Sequence, residues 1–94
     1  MKEALAREEA QAIALRALVW TLREEGRAER LLALTGLTPQ GLRAGAGEDG
    51  VLGAVLSFLE SHEPDLVACA HDLDLAPEML VSARRLLEKS CDPC

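Results

Sequence analysis

Aromatic residues are nearly absent from this chain of 94 residues. Tyrosine is missing, and Trp20 and Phe58 are its single tryptophan and single phenylalanine. Any hydrophobic core must therefore consist mainly of aliphatic side chains and alanine. Residues that favour strands are sparse and nowhere alternate with polar residues over a useful length, which favours helices throughout. A hydrophobic content of 49% with 28% charged residues is typical of a folded globular protein.

Long hydrophobic runs and secretion signals are absent as well. The longest apolar run, residues 51–59, is too short to span a bilayer. The first residues are too acidic and too interrupted for a signal or transit peptide. Three cysteines, an odd number, fit a reducing compartment better than a disulfide framework. We therefore expect a cytoplasmic protein that makes no contact with membranes.

Basic residues are missing from residues 48–78, which carry eight acidic side chains in a chain of net charge −6. One interpretation is a solvated face that keeps the protein soluble. The other is a docking surface for a basic protein partner, where charge sets the association rate more than the affinity. Glu60, Asp65 and Asp72 are the candidate interaction residues of such a surface.

Residues 31–43 predict a helix end, a tight corner and the start of a new helix. Gly36 can adopt the left-handed conformation that closes a helix. Thr38 can cap the next helix by accepting backbone N–H bonds, and Pro39 suits its first position because the donor that proline lacks is not needed there. The sequence therefore predicts that the chain reverses between two helices at this corner.

The same layout returns 38 residues later, where Asp74 corresponds to Gly36 and Pro77 to Pro39. Aspartate is one of the few other residues that tolerate the left-handed region. The same offset carries Trp20 onto Phe58. Two interpretations stay open: two related three-helix units, or a chance similarity between helices rich in alanine and leucine.

The predicted fold is all-α, a compact bundle of five to six short helices in which residues 1–94 form a single helical domain. A chain of this length buries about 60–65% of its unfolded surface, enough for a modest core without metal or disulfides. The glycine-rich residues 45–50 predict a loop and the most mobile internal segment, and about residues 90–94 predict a frayed tail. The helices are expected at about residues 3–25, 27–35, 39–44, 49–60, 64–73 and 77–89.

The first predicted helix is apolar around most of its circumference, so we expect it to be the central helix, packed on more than one side. Ala14, Leu15, Leu18 and Leu22 are expected together on the face opposite its narrow polar stripe. Trp20 is either a core anchor or an exposed anchor for a partner, since tryptophan is enriched at binding hot spots. Self-association as a homodimer, through an exposed part of Trp20 or the small-residue side of the fourth helix, is a further expectation.

Four short motifs occur in an order that resembles a known family. They are residues 14–18, residues 32–39 with Leu42 and Arg43, residues 52–59, and residues 75–78 with Ala83 and Arg84. Over about residues 10–87 the chain is similar to a family of short alphaproteobacterial proteins catalogued only as a domain of unknown function. The resemblance implies an all-helical cytoplasmic protein and implies no catalytic or binding residues.

The histidines and cysteines give a weak indication of metal binding. Cys91 and Cys94 have the two-thiolate spacing of a zinc knuckle, with His62, Cys69 and His71 upstream. Structural zinc needs four ligands, usually from two such pairs. Cys69 lies on the apolar stripe of the fifth predicted helix, which favours a core thiol over a zinc ligand. No serine lies in a strained turn, and no glycine motif fits phosphate binding. We expect no cofactor and no enzymatic activity, and keep a small zinc-binding protein as an alternative.

A helix, a glycine corner and a second helix also form the outline of a DNA-reading motif. The recognition helix would be residues 39–44, which offer only Gln40 and Arg43, and a net charge of −6 supplies no basic patch for phosphates. We expect no nucleic-acid partner and keep a helix-turn-helix-like binding protein as a second alternative. By elimination, the expected function is a non-catalytic protein–protein interaction or adaptor module.

Overall fold

The computed structural model describes residues 5–91, without the side chains of Ser90 and Cys91. Within this range the chain forms six α-helices and no strand, which confirms the predicted all-α bundle. Of the predicted frayed tail, Ser90 and Cys91 are the last residues of the sixth helix, and residues 92–94 lie outside the described part of the chain. The helices are α1 (Arg7–Leu22), α2 (Glu25–Thr35), α3 (Pro39–Ala44), α4 (Asp49–Glu60), α5 (Glu63–Asp72) and α6 (Pro77–Cys91).

The core lies where α1, α4 and α6 pack against one another, with the most extensive contact between α4 and α6. The helix α2 packs on α1 and α4, and α5 packs on α4 and α6. The helix α1, expected to be central and packed on more than one side, therefore shares the centre with α4 and α6. The largest fully buried side chains are mainly leucines, as the scarcity of aromatic residues predicts: Leu31, Leu52, Leu56, Leu59, Leu80 and Leu87.

The helix α1 begins later than the predicted residue 3. Leu5 and Ala6 are not helical, and the first helical residue is Arg7. The Glu9 carboxylate accepts a hydrogen bond from the Ala6 N–H (3.1 Å). This bond is half of a capping box and fixes the helix start, because it satisfies a donor that has no partner within the helix.

The predicted end of α1 near residue 25 is also wrong. The helix stops at Leu22, and Glu24 adopts an extended conformation (φ −116°, ψ 125°) before α2 begins. The guanidinium of Arg27 donates to the carbonyl oxygen of Trp20 (2.9 Å). The same carbonyl also accepts the Arg23 N–H (3.2 Å), so a side chain from α2 adds a second hydrogen bond at the end of α1.

The corner between α2 and α3 is built as predicted. Gly36 has φ 75°, and its N–H donates to the carbonyl of Leu32 (2.8 Å). The hydroxyl of Thr38 accepts a hydrogen bond from the Gly41 N–H (2.9 Å), and Pro39 is the first residue of α3. The left-handed glycine therefore closes one helix, and the capping threonine opens the next.

The corner between α5 and α6 uses Asp74 in the equivalent place, with φ 62°. The N–H of Asp74 donates to the His71 carbonyl (3.1 Å), and the N–H of Leu75 donates to the Ala70 carbonyl (2.8 Å). These two bonds form a complete Schellman ending, whereas the Gly36 corner has the simpler single-bond form. Aspartate therefore occupies the left-handed region, as its correspondence with Gly36 predicts.

The helix bounds repeat at the offset of 38 residues. The helices α1 and α4 end at equivalent positions, α2 and α5 begin at equivalent positions, and so do α3 and α6. The halves differ most in their third helix, because α3 has six residues and α6 has 15. Equivalent residues that are buried in both halves are Ala14 and Leu52, Ala17 and Val55, Leu18 and Leu56, Trp20 and Phe58, Thr21 and Leu59, Leu31 and Cys69, Leu42 and Leu80, and Gly45 and Ala83.

The turn at residues 45–48 ends α3 and is shorter than the predicted loop 45–50, because α4 begins at Asp49. Gly45 is buried, and a Cβ on it would lie 2.6 Å from Cγ2 of Val51, so a larger residue does not fit. The Asp49 carboxylate accepts hydrogen bonds from Nε of Arg7 and Nε2 of Gln11, both at 2.7 Å. These contacts fix the start of α4 against α1.

Candidate functional site

Trp20 lies in the core, with only 3% of its area exposed. Its indole N–H donates to Oδ2 of Asp72 (2.6 Å), and the guanidinium carbon of Arg27 lies 3.7 Å from the ring centre. The indole hydrogen bond lowers the pKa of Asp72, because it favours the ionised carboxylate. The ring is enclosed by partners within the protein, as the core interpretation predicts, and is not presented as an exposed anchor.

The three acidic candidates are engaged by three different helices. Glu60 accepts a hydrogen bond from Nε of Arg84 on α6, and Asp65 accepts one from Nη2 of Arg30 on α2 (3.1 Å). Asp72 contacts α1 through the indole described above. Each carboxylate therefore has a partner within the protein, and a role for these residues in a docking surface stays a prediction.

An apolar groove lies along α1, away from the candidates that the sequence indicated. Leu15, Val19 and Leu22 are 40%, 54% and 44% exposed on one side of this helix. The groove between that side, α2 and α3 has a volume of about 450 Å³, and Arg43 is the one charged residue in its lining. The lining residues are Leu15, Leu18, Val19, Leu22, Ala28, Leu32, Pro39, Leu42, Arg43 and Ala46.

The sequence contained a signal for this groove, but its interpretation was only partly right. The apolar circumference of α1 was expected to be packed on several sides, with Ala14, Leu15, Leu18 and Leu22 opposite the polar stripe. The structure buries Ala14 and Leu18 as expected and leaves Leu15 and Leu22 partly exposed. Whether a leucine is covered depends on the length of the neighbouring helix. The helical periodicity of α1 contains no information about that length.

A second groove, of about 410 Å³, lies on the other side of the same exposed residues. Leu15 and Val19 line both grooves and form a ridge between them. The second groove is completed by Arg16, Arg23, Asp72 and Leu73. Arg16 also donates through Nη2 to the carbonyl of Leu73 (3.0 Å). The ridge is thus bordered by arginines from α1 on one side and by Arg43 of α3 on the other.

The second half of the molecule shows how the equivalent surface of α4 is covered. Positions 53 and 60 of α4 correspond to positions 15 and 22 of α1. The helix α6 contacts both, since a Cβ on Gly53 would lie 3.3 Å from Cγ of Glu88 and Arg84 pairs with Glu60. Ser57, the equivalent of position 19, stays exposed. Because α3 stops after six residues, the corresponding surface of α1 has no covering helix within the described chain.

Other cavities and clusters give weaker candidates. A depression of about 580 Å³ lies beside α5, but its lining comes from that helix alone and includes Glu63, His71 and Asp72. Within the described residues no three His, Cys, Asp or Glu side chains are grouped to hold a metal. Burial raises the pKa of the Cys69 thiol to about 11, which makes it an unreactive core residue. The terminal cysteine pair of the zinc hypothesis lies outside the side chains that the structure describes.

Comparisons with known proteins give a family and no activity. A family model described as "Protein of unknown function (DUF3572)" matches residues 7–90. No curated protein and no solved structure matches the chain. Among residues 5–91, no helix has the length and apolar character needed to cross a membrane. A function must therefore be argued from the geometry along α1.

Proposed function

The chain belongs to the DUF3572 family of proteins of unknown function, as its motifs predicted, and we propose that it is a non-catalytic interaction module that binds a helix of a partner protein along α1. The observation that carries this proposal is the row of partly exposed Leu15, Val19 and Leu22 beside a groove of about 450 Å³. The proposal keeps the cytoplasmic location expected from the sequence.

A helix is the expected occupant because α6 contacts two of the three equivalent positions of α4, Gly53 and Glu60, while Ser57 stays exposed. The helix α6 has 15 residues and α3 has six, so α3 lacks nine residues relative to its counterpart. At 1.5 Å per residue this difference corresponds to about 14 Å of helix. Glu88 of α6 lies beside Gly53, whereas the earlier Arg84 pairs with the later Glu60, so α6 runs antiparallel to α4. A partner helix in the same relation would run antiparallel to α1.

The energetics favour covering this ridge. Completing the burial of a half-exposed leucine or valine contributes about 1 kcal/mol, since full burial contributes about 1.5–3 kcal/mol. Three such side chains within two turns of one helix form a contiguous apolar surface, which is the usual mark of a binding site. Interactions of this size are typical of transient association and not of an obligate complex.

Photo-crosslinking in the native cells tests the proposal. A photoreactive residue is placed at position 19 of the full chain, and at position 34 as a matched control, because Leu34 is a 66% exposed hydrophobic residue outside the groove. We expect crosslinks from position 19 to one helical segment of another protein, and their loss when Leu22→Glu is added. Equal crosslinking from both positions, or crosslinking from position 19 only to a second copy of this chain, would contradict the proposal.

The crosslinked segment then permits a quantitative test with a synthetic peptide. Val19→Glu should weaken binding of that peptide by at least about tenfold, because it places a carboxylate in an apolar contact. Leu34→Glu makes the same change at an exposed position outside the groove and should leave the affinity unchanged. An equal loss in both variants would show that the groove is not the binding site.

A further inference from the structure

The charged side chains that line the two grooves are mainly positive. Arg16 and Arg23 lie on one side of the ridge, and Arg43 lies on the other. The one acidic residue in the two linings is Asp72, whose carboxylate accepts the indole hydrogen bond of Trp20 (2.6 Å). Arg16 lies on α1 and Arg23 directly follows its last residue, seven positions later, which is about 10 Å at 1.5 Å per residue. The apolar ridge is therefore bordered by guanidinium groups along its length.

We infer that the bound helix is acidic and amphipathic, with one apolar stripe for the ridge and carboxylates on both borders of that stripe. The inference rests on the proposed function, because it specifies the chemistry of the helix that occupies the same groove. Guanidinium groups form the stronger, charge-assisted hydrogen bonds with carboxylates. Carboxylates that border the stripe would meet Arg16 and Arg23 on one side and Arg43 on the other.

The contact between α4 and α6 also pairs a carboxylate with a guanidinium, since Glu60 of the covered helix pairs with Arg84 of the covering helix. The residue of α1 that corresponds to Glu60 is Leu22, so the charges beside the groove of α1 come from other positions. They are the guanidinium groups of Arg16, Arg23 and Arg43, so the complementary charge on the bound helix is negative. This differs from the basic partner expected from residues 48–78, because the charges beside the groove have the opposite sign.

A second copy of this chain and a basic helix both fit the groove less well. In a symmetric pair the same ridge would meet itself, which would bring the arginine borders of the two copies together. A basic helix would meet the same like-charge repulsion. The net charge of −6 acts mainly at longer range, and charges more than about 8–10 Å away are largely screened at physiological salt.

Selection from a displayed library of helices tests the inference without a known partner. The library holds amphipathic helices of about 14 residues, four turns, with a fixed leucine stripe and with Glu, Lys, Gln or Ala allowed at the bordering positions. Selection on the wild-type full chain runs in parallel with selection on Val19→Glu. We expect the wild-type protein to enrich helices with net negative borders, and the variant not to enrich them.

Charge-reversed variants complete the test. An enriched acidic helix should bind the Arg23→Glu/Arg43→Glu variant about tenfold more weakly, with most of the loss disappearing at high salt. The control Arg85→Glu reverses an exposed charge on α6, outside the groove, and should change the affinity by less than about twofold. Enrichment of neutral or basic helices that depends on Val19 would overturn the acidic inference alone. If no helix at all were enriched in a way that depends on Val19, the proposed function itself would be overturned.

Discussion

The glycines at the two ends of α2 offer a matched test of how this chain closes its helices. Gly26 lies in the first turn of α2, and Gly36 ends the helix with φ 75°. A Cβ added to either glycine would meet no atom within 4 Å. Substitution by alanine therefore changes the backbone preference at each position without creating a steric clash.

The two substitutions should have opposite effects on stability. Gly26→Ala should raise the free energy of unfolding by about 0.4–1 kcal/mol, because alanine loses less conformational entropy on folding. Gly36→Ala has the same entropic advantage, but it holds alanine in the left-handed region, which costs about 1–2 kcal/mol. Its net effect should be a loss of about 0.5–1 kcal/mol, so the two variants should differ by about 1–2 kcal/mol.

Urea unfolding followed by the fluorescence of Trp20 measures this difference, since Trp20 is the single tryptophan and is buried. In thermal unfolding the same difference should separate the two midpoints by several degrees, at about 4–8 °C per kcal/mol for a chain of this size. If Gly36→Ala were as stable as Gly26→Ala, the left-handed conformation would not be required, and the corner between α2 and α3 would be described wrongly.

Three further predictions concern the core, the pH dependence and the buried thiol. Leu56→Ala should lower the free energy of unfolding, measured in urea, by about 2–5 kcal/mol because Leu56 is fully buried. Leu34→Ala at an exposed position should change it by less than about 0.5 kcal/mol. Equal losses in the two variants would contradict the core assignment. The pKa of Asp72 is lowered by the indole hydrogen bond, so the stability that this bond contributes is complete above the ordinary carboxyl pKa of about 4 and is lost as the pH falls through the lower folded-state value. The stability difference between wild type and Asp72→Ala should therefore shrink in acid, and a difference that does not vary with pH would refute this account. In a variant that keeps Cys69 as its sole cysteine, a thiol reagent at about pH 8 should react with the protein in urea and scarcely at all in buffer. The reason is that burial raises the pKa of this thiol to about 11. Equal reaction rates in urea and in buffer would show that the thiol is not buried.

The helix corners were predictable because their causes are local. A residue that tolerates the left-handed region, followed three positions later by proline, specifies the reversal from a few neighbouring residues. Gly36 and Asp74 both show the expected positive φ. The end of α1 was not predictable in this way, because the Arg27 guanidinium that satisfies the Trp20 carbonyl comes from the next helix.

The candidate site depended on tertiary contacts that the residue pattern does not contain. Counting charges located the acidic residues 48–78 but could not show that Glu60 pairs with Arg84, 24 positions later. Helical periodicity identified the apolar positions of α1 without showing which of them a neighbour would cover. The groove stays open because α3 ends after six residues, as its predicted bounds indicated; the sequence did not show that this end leaves Leu15 and Leu22 uncovered.

The contact between α1 and α6 joins the beginning and the end of the described chain in one core. A protease cut within residues 45–48 would separate α1 from α4 and α6, the two helices with which it makes its most extensive contacts. Folding would then become a bimolecular reaction, in which stability rises with the concentration of the two fragments. Coexpressed halves should complement each other, and neither should remain folded after the other is removed.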